Sequence, residues 1–264
     1  MKVLKWFAMA AVLGCAAMCL SGCGFFSGGE EGEGTDSVIS NLLGGEKILE
    51  ASVEGNTLTY GTHVYKIVAE IDPATREFKQ PTACVTFTNI PAGYGEFEAV
   101  YKGLLGKSRA GTAAMVPMAL EMYARDAEVG TKCLQLLCNS SATVSNITGI
   151  LKTKLVPSQY APDNDPYIQR YMAAALLKGA VNTNGYTPDK PYTVEMTMSP
   201  NGVKDAPLTG GEVTYMYILA QGWDSFQRGV EVFLPYDTDY YKVFNCSSCY
   251  VQCKNIRGSW EGLQ

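Results

Sequence analysis

The stretch EVTYMYILA, residues 212–220, has the side-chain alternation of an extended strand. Successive side chains of a β-strand point to opposite faces of the sheet. One of the two faces here carries Val213, Tyr215, Tyr217 and Leu219. The segments GVEVFLP, YYKVFN and CYVQCKN follow it, and they are rich in β-branched and aromatic residues with turn formers between them. Residues 191–255 are therefore predicted to form a zone of strands.

A second zone of strands is predicted at residues 46–101. In THVYKIVAEID, residues 62–72, the alternation places a consistently apolar set on one side, so that side should face the core. The apolar set is Tyr65, Ile67, Ala69 and Ile71. TACVTFTN, residues 82–89, alternates in the same way, with Ala83, Val85 and Phe87 on one side.

The middle of the chain, residues 111–179, is predicted to be helical because its apolar residues recur at helical spacing. One helix is predicted to begin at Asp165, whose side chain can cap free N–H groups, and to end at Gly179. Further helices are predicted over 142–155, over 116–129 with Pro117 near its first turn, and in a short segment after Gly130.

Strands, then helices, then strands indicate an α+β fold. We predict a mixed, mainly antiparallel sheet built from the N-terminal and C-terminal strand zones, with the central helical segment packed on one face. The alternative is a split into two small domains near residue 110. A chain that is 47% hydrophobic and 18% charged has the composition of an ordinary globular protein, and we expect one domain over residues 46–264.

The first twenty-two residues have the pattern of an export signal. Lys2 and Lys5 form a positive head, and the run from Trp6 to Met18 is apolar and uncharged. A membrane-spanning helix needs about 20 apolar residues, so this run is too short to span. It instead fits the apolar region of a signal peptide.

The segment Leu20-Ser21-Gly22-Cys23 resembles the lipobox of bacterial lipoprotein signal peptides. This resemblance implies cleavage before Cys23, a diacylglyceryl thioether on its sulfur, and acylation of the new amino terminus. Two or three acyl chains hold a protein at a membrane, whereas one chain binds only marginally. By the sorting rules of lipoproteins, Gly at position 24 argues against retention at the inner membrane. The alternative is an ordinary secretory signal that contains a cysteine.

Residues 23–45 are predicted to be the lipidated cysteine followed by a flexible tether of Gly, Glu and Ser, since such a composition does not support a core. Removing residues 1–22 takes away two lysines and no acidic residue. The mature chain then has 19 basic and 26 acidic residues, a net charge of −7. Because no basic stripe is present, nucleic acid is not an expected partner.

Six cysteines remain in the body of the chain. They are Cys84, Cys133, Cys138, Cys246, Cys249 and Cys253. If CYVQCKN is a strand, Cys249 and Cys253 lie roughly 13 Å apart, too far for a disulfide or for a shared zinc ion. Cys246 and Cys249 flank Ser247 and Ser248, which could form a turn and bring the two thiols together.

Three interpretations of these cysteines stay open. They could be buried, inert thiols, or they could form one or more disulfides, since disulfides persist outside the cytoplasm. The candidate links are Cys246–Cys249, or one from Cys133 or Cys138 to the C-terminal strands. A metal site or a redox-active pair is a weaker interpretation, because C-x-x-C alone is not a zinc signature and here it leads into a predicted strand. We therefore predict no metal and no cofactor.

The residue inventory discourages several catalytic schemes. The single histidine, His63, lies at the start of a predicted strand with no nucleophile motif nearby, so we expect packing or solvent exposure instead of catalysis. The chain contains no Walker-type loop and no G-x-G-x-x-G loop. Two carboxylate pairs could bind calcium or act as acid and base, although neither forms a complete calcium loop: Asp163 with Asp165, and Asp237 with Asp239. We assign no catalytic residue.

Aromatic residues are concentrated in the last third of the chain. Exposed Tyr and Trp side chains suit sugar stacking or a protein partner, and the alternative is that they fill a core. The candidate surface consists of Tyr215, Tyr217, Trp223, Tyr240 and Tyr241.

The stretches NDPYIQRYMAAALLKGA, PYTVEMTMSPNG and GGEVTYMYILAQGWDSFQRGVEVFLP resemble uncharacterised lipoprotein domains of bacterial cell envelopes, over roughly residues 130–264. Such domains supply no activity or site residues. We therefore expect a lipid-anchored envelope protein, at the outer membrane, that binds a protein or glycan or supports envelope structure without catalysis. The alternatives are a hydrolase using Asp or Glu, and a thiol redox protein.

Overall fold

A computed structural model of the chain describes residues 49–69, 82–154, 171–206, 210–223, 226–251 and 253. The chain divides into two units, Met1–Lys47 and Ile48–Gln264, and all described residues belong to the second. The predicted signal peptide, Cys23 and the predicted tether through residue 45 lie outside the described residues. Among the described helices, none combines the length and the apolar character needed to cross a bilayer.

The described residues contain eight strands in a single sheet, and these strands lie side by side in the order in which they occur in the chain. Every neighbouring pair is antiparallel. The strands are β1 Ala51–Glu54, β2 Thr57–Tyr60, β3 His63–Ile67, β4 Thr82–Phe87, β5 Tyr192–Ala206, β6 Gly211–Leu219, β7 Gln227–Pro235 and β8 Lys242–Asn245.

Within the described residues, four α-helices lie between β4 and β5, two strands that pair with each other. They are α1 Tyr94–Gly103, α2 Arg109–Arg125, α3 Ala127–Leu137 and α4 Ser141–Lys154. The prediction of an α+β fold with a mainly antiparallel sheet from both strand zones is confirmed.

Three of the predicted helices occur with shifted bounds. The helix predicted over 142–155 is α4, and the short segment after Gly130 is part of α3. The helix predicted over 116–129 begins earlier, at Arg109, because the Ser108 side chain accepts a hydrogen bond from the Gly111 N–H and caps it. Pro117 therefore lies inside α2 and not in its first turn.

The prediction that residues 46–101 contain only strands is wrong at its C-terminal end, because α1 begins at Tyr94. The first part of the helix predicted from Asp165 to Gly179 lies outside the described residues. The described part contains a short 3-10 helix at Ala174–Leu176 in place of a continuous α-helix.

The prediction of a strand at CYVQCKN is also wrong for the part of that segment that the structure describes. β8 ends at Asn245, whose side-chain Oδ1 accepts a hydrogen bond from the Ser247 N–H at 3.0 Å and turns the chain. Residues Ser247–Tyr250 then form a 3-10 helix. The separation of roughly 13 Å that we expected between Cys249 and Cys253 on a straight strand therefore does not apply.

The helices cover one face of the sheet, and the core lies between the helices and that face. The side chains that β6, β7 and β8 contribute to this core are Met216, Ile218, Val230, Val232 and Val243. On β3 the predicted inward residues Tyr65 and Ile67 are buried in the same core. The register of β4 shifts between Ala83 and Val85, so Cys84 and Val85 are both buried instead of alternating.

Candidate functional site

The face of β6 and β7 that points away from the helices carries a second apolar cluster. Val213, Phe233 and Leu219 are only 4%, 6% and 8% exposed, yet none of them belongs to the main core. Val213 pairs directly with Phe233, so the two side chains lie on the same side of the sheet. Phe233 also contacts Phe244 of β8, with ring centroids 6.1 Å apart.

Two half-buried tyrosines, Tyr215 and Tyr217, lie on this same face because they alternate with the inward residues Met216 and Ile218. We call the set Val213, Tyr215, Tyr217, Leu219 and Phe233 the tyrosine face.

The rings of the tyrosine face have different neighbours. Tyr217 pairs with Gly229, and a Cβ added at that glycine would lie 3.8 Å from the Tyr217 ring, so the ring lies over bare backbone. Tyr215 pairs with Glu231, and the Lys204 ammonium lies 5.3 Å from the centroid of the Tyr215 ring. The site thus joins flat aromatic surface to one cation and one carboxylate, which suits contacts with a partner that is partly apolar and partly polar.

The five aromatic residues predicted as a binding surface do not form one surface. Trp223 and Tyr241 are 2% and 9% exposed and belong to the core. Tyr240 packs partly against the core and stacks on Tyr101, with ring centroids 5.7 Å apart. Sequence alternation could not reveal this, because loop residues such as Trp223 have no strand period to assign them to a face. Only Tyr215 and Tyr217 point away from the helices.

A second polar cluster surrounds the single histidine. The Nδ1 atom of His63 lies 2.6 Å from Oε1 of Glu96, a carboxylate that is 4% exposed. The same carboxylate accepts hydrogen bonds from the Tyr65 hydroxyl and from the Ala92 N–H, each at 2.7 Å. Burial, followed by the hydrogen bond and the charge of Glu96, raises the pKa of Tyr65 and keeps its hydroxyl a donor.

The His63–Glu96 cluster lacks a nucleophile among the described residues, since Glu96 is the only side chain there that bonds the His63 ring. Glu96 lies in the first turn of α1, where a carboxylate is favoured by the free N–H groups of the helix. The cluster therefore ties β3 to the start of α1. Sequence reasoning missed Glu96 because the segment around it was predicted to be a strand.

All six body cysteines are buried, and those at positions 133, 138, 246 and 249 are free thiols in this structure. Burial raises the pKa of Cys133, Cys138 and Cys249 to about 12 and that of Cys253 to about 11. Thiols held in this form are poor nucleophiles at neutral pH. Among the described residues, no group of three or more His, Cys, Asp or Glu side chains is placed to hold a metal ion.

One cavity, of about 130 Å³, opens between α2, the segment around residues 173–188 and the start of β5. Its lining is mainly apolar, with one ion pair between Glu121 and Arg125 at 2.9 Å. Of the carboxylate pairs singled out in the sequence, Asp163 and Asp165 lie outside the described residues, whereas Asp237 and Asp239 are exposed in the β7–β8 connection.

The family described as a domain of unknown function, DUF6935, matches residues 89–257. The match begins after β4 and includes the four described α-helices and strands β5 to β8. Neither the curated proteins nor the solved structures contain a match to the chain.

Proposed function

The chain belongs to the DUF6935 family, whose function is unknown, and we propose that it is a lipid-anchored protein of the bacterial cell envelope that binds a partner without catalysis. The binding surface in this proposal is the tyrosine face. The partner is a protein or a glycan.

The attachment part of the proposal rests on the first residues of the chain. Leu20-Ser21-Gly22-Cys23 resembles a lipobox, so the mature chain would begin at a diacylated Cys23 and sit at the outer membrane. Residues 24–45 would then reach roughly 25 Å if they behave as a flexible Gly-rich tether. That reach lets the folded unit contact ligands beside the membrane without leaving it.

The observation that carries the binding part is the aromatic cluster on the sheet face away from the helices. Tyr215 and Tyr217 are half-buried there, above apolar side chains that do not belong to the main core. Rigid aromatic rings with a polar hydroxyl are enriched at protein interfaces and present the flat apolar surface that sugar rings stack on.

The described cavity favours binding over catalysis. Its volume of about 130 Å³ is smaller than the roughly 300–1,000 Å³ of typical ligand pockets. The one carboxylate in its lining, Glu121, is paired with Arg125 instead of converging on a second acid. A hydrolase that uses Asp or Glu needs two such groups facing one substrate.

The test of the binding surface uses the full chain with a photo-crosslinking amino acid at position 215, expressed in its own bacterium. The same amino acid at position 236 is the matched control, because Tyr236 is 64% exposed and follows β7 outside the tyrosine face. A discrete crosslinked species at 215 and not at 236 supports the proposal. In parallel, soluble fragments of the cell-wall glycan are titrated onto the purified protein.

The proposal expects binding of the captured partner or glycan to fall at least tenfold in the double variant Y215A/Y217A and to be unchanged in Y236A. Equal weakening in both variants, or the absence of any specific adduct and any glycan binding, contradicts the tyrosine face as the site. The attachment is tested separately by mass spectrometry of the mature amino terminus and by Cys23→Ser, which should release the protein from the membrane fraction.

A further inference from the structure

We propose that Cys246 and Cys249 form a disulfide in the mature protein, closing the turn that follows β8. The inference rests on the proposed envelope location, because protein disulfides persist in oxidising compartments and are rare in the cytoplasm. It assigns a covalent modification to one pair among the six thiols.

The backbone already holds the two cysteines at the ends of one tight turn. The Cys249 N–H donates to the Cys246 carbonyl oxygen at 2.8 Å, and the 3-10 helix Ser247–Tyr250 continues from that bond. A turn closed between residues i and i+3 has its end Cα atoms less than about 7 Å apart. Disulfides need Cα atoms about 4.4–6.8 Å apart, so the backbone separation at this turn is compatible with a bridge.

The neighbouring thiol Cys138 is less well placed for either partner. Cys138 forms a parallel bridge with Val243, and the Asn139 N–H donates to the Val243 carbonyl at 3.0 Å. Cys138 also lies near Cys246, since burial, then the charge of Cys249 and then that of Cys138 raise the pKa of Cys246. Cys249 has the larger effect of the two thiols and shares a backbone hydrogen bond with Cys246, so Cys246 and Cys249 form the favoured pair.

Burial suits a structural disulfide better than a redox catalyst. Cys246 and Cys249 are 3% and 0% exposed. Burial raises the pKa of both thiols, that of Cys249 to about 12, whereas catalytic dithiols have a lowered pKa and an accessible sulfur. The bond would therefore form while the C-terminal turn is still open during folding, and the folded chain would then shield it from reductants.

The two thiols are oxidised by thiol–disulfide exchange, and the disulfide of an envelope oxidase accepts their electrons. One thiolate of the pair attacks a sulfur of that disulfide, giving a mixed disulfide and releasing the first oxidase thiolate. The second thiolate of the pair then displaces the second oxidase thiolate and completes the Cys246–Cys249 bond. The pair loses two protons and two electrons, and the oxidase disulfide is reduced to a dithiol.

The first arm of the test isolates the full chain from the envelope after acid quenching, denatures it, and alkylates it with and without prior reduction. Before reduction, peptide mapping should find residues 246 and 249 unalkylated in one peptide that is two hydrogens lighter than its dithiol form, and after reduction both should be alkylated. Cys246→Ala should make Cys249 alkylatable without reductant. Cys133→Ala, which removes a buried thiol elsewhere, should leave the 246–249 link intact.

The second arm refolds the reduced full chain from denaturant in a glutathione redox buffer, which separates the pair's chemistry from its location. A 246–249 link in both arms supports the inference. A link only after refolding supports the pairing and contradicts the envelope location. Free thiols at residues 246 and 249 in both arms, or a link that joins Cys138 to either residue, overturn the inference.

Discussion

The imidazole Nδ1 of His63 lies 2.6 Å from the buried carboxylate of Glu96, and the contact joins strand β3 to the first turn of helix α1. The carboxylate also accepts from the Tyr65 hydroxyl and the Ala92 N–H. A buried acid with three donors is stable only while all three remain in place.

Replacing Glu96 with alanine should therefore destabilise the fold strongly. The change leaves the Tyr65 hydroxyl, the Ala92 N–H and the His63 ring without their acceptor, and we expect a loss of about 3 kcal/mol in the free energy of unfolding. Urea unfolding followed by circular dichroism measures it. The control is Glu98→Ala in the same helix, where an exposed pair with Lys102 is lost and the change should stay below about 0.5 kcal/mol. Equal losses would show that the buried network contributes nothing.

Replacing two helix glycines with alanine should change the stability of the fold in opposite directions. A Cβ at Gly130 of α3 would lie 2.1 Å from the Tyr123 Cα of α2, so Gly130→Ala must push the two helices apart, and we expect a loss of about 2–3 kcal/mol. A Cβ at Gly149 of α4 meets nothing within 4 Å. Gly149→Ala should therefore raise stability by about 0.5–1 kcal/mol through helix propensity. Thermal unfolding of both variants decides the point, and a stabilised Gly130→Ala would refute the close packing of α2 on α3.

The amide of Asn184 should hold the loop between Gly179 and Thr187. Its Oδ1 accepts from the Val181 and Thr187 N–H groups, each at 3.1 Å. Its Nδ2 donates to the Gly179 and Thr187 carbonyls at 2.8 and 3.1 Å.

Asn184→Asp keeps both acceptor contacts but places a charge against two carbonyl oxygens, so it should cost about 1–2 kcal/mol. Hydrogen exchange of the Thr187 amide should accelerate in Asn184→Ala, which loses the acceptor, and much less in the aspartate variant. Identical exchange rates in the two variants would contradict this division of roles.

Reduced protein should lose stability in alkali because of its buried thiols. Burial raises the pKa of Cys133 and Cys138 from 9.0 to about 12, so the unfolded chain releases these protons at lower pH than the folded chain does. Their stabilisation is complete below pH 9 and is lost as the pH rises toward 12. Burial lowers the pKa of Lys242, which makes the fold more stable as the pH rises, but Lys242 is one group and the thiols are several.

The urea concentration at the midpoint of unfolding should fall between pH 8 and pH 11 in reductant, and it should fall less steeply in Cys133→Ala. A midpoint that does not change over this range would be inconsistent with buried, protonated thiols.

The alternation of side chains correctly predicted strands β3, β4, β6 and β7, but it did not always show which face of a strand is covered. Tyr65 and Ile67 of β3 were placed correctly because the opposite side of that strand carries Lys66. Strand β6 offers no such contrast. One face carries Met216 and Ile218 and the other carries tyrosines with Val213, so only the position of the helices decides which face is covered.

Errors in the predicted elements have local causes. The segment after Asn245 contains aromatic and β-branched residues typical of a strand, yet the Ser247 N–H donates a hydrogen bond to the Asn245 side chain and turns the chain. The His63–Glu96 contact joins residues 33 positions apart and depends on the pairing of β3 with β4 and the placement of α1. No spacing rule connects two residues across such an arrangement.

The insertion of helices α1 to α4 between two adjacent strands has a consequence for how the sheet is completed. Phe87 of β4 pairs with Tyr192 of β5, so these two strands can pair only after the helical segment between them has been synthesised. A chain delivered N-terminus first would hold β1 to β4 as a half-built sheet with β4 as an open edge. Open edges recruit foreign strands, so a chaperone that shields β4 would act before residue 192 arrives.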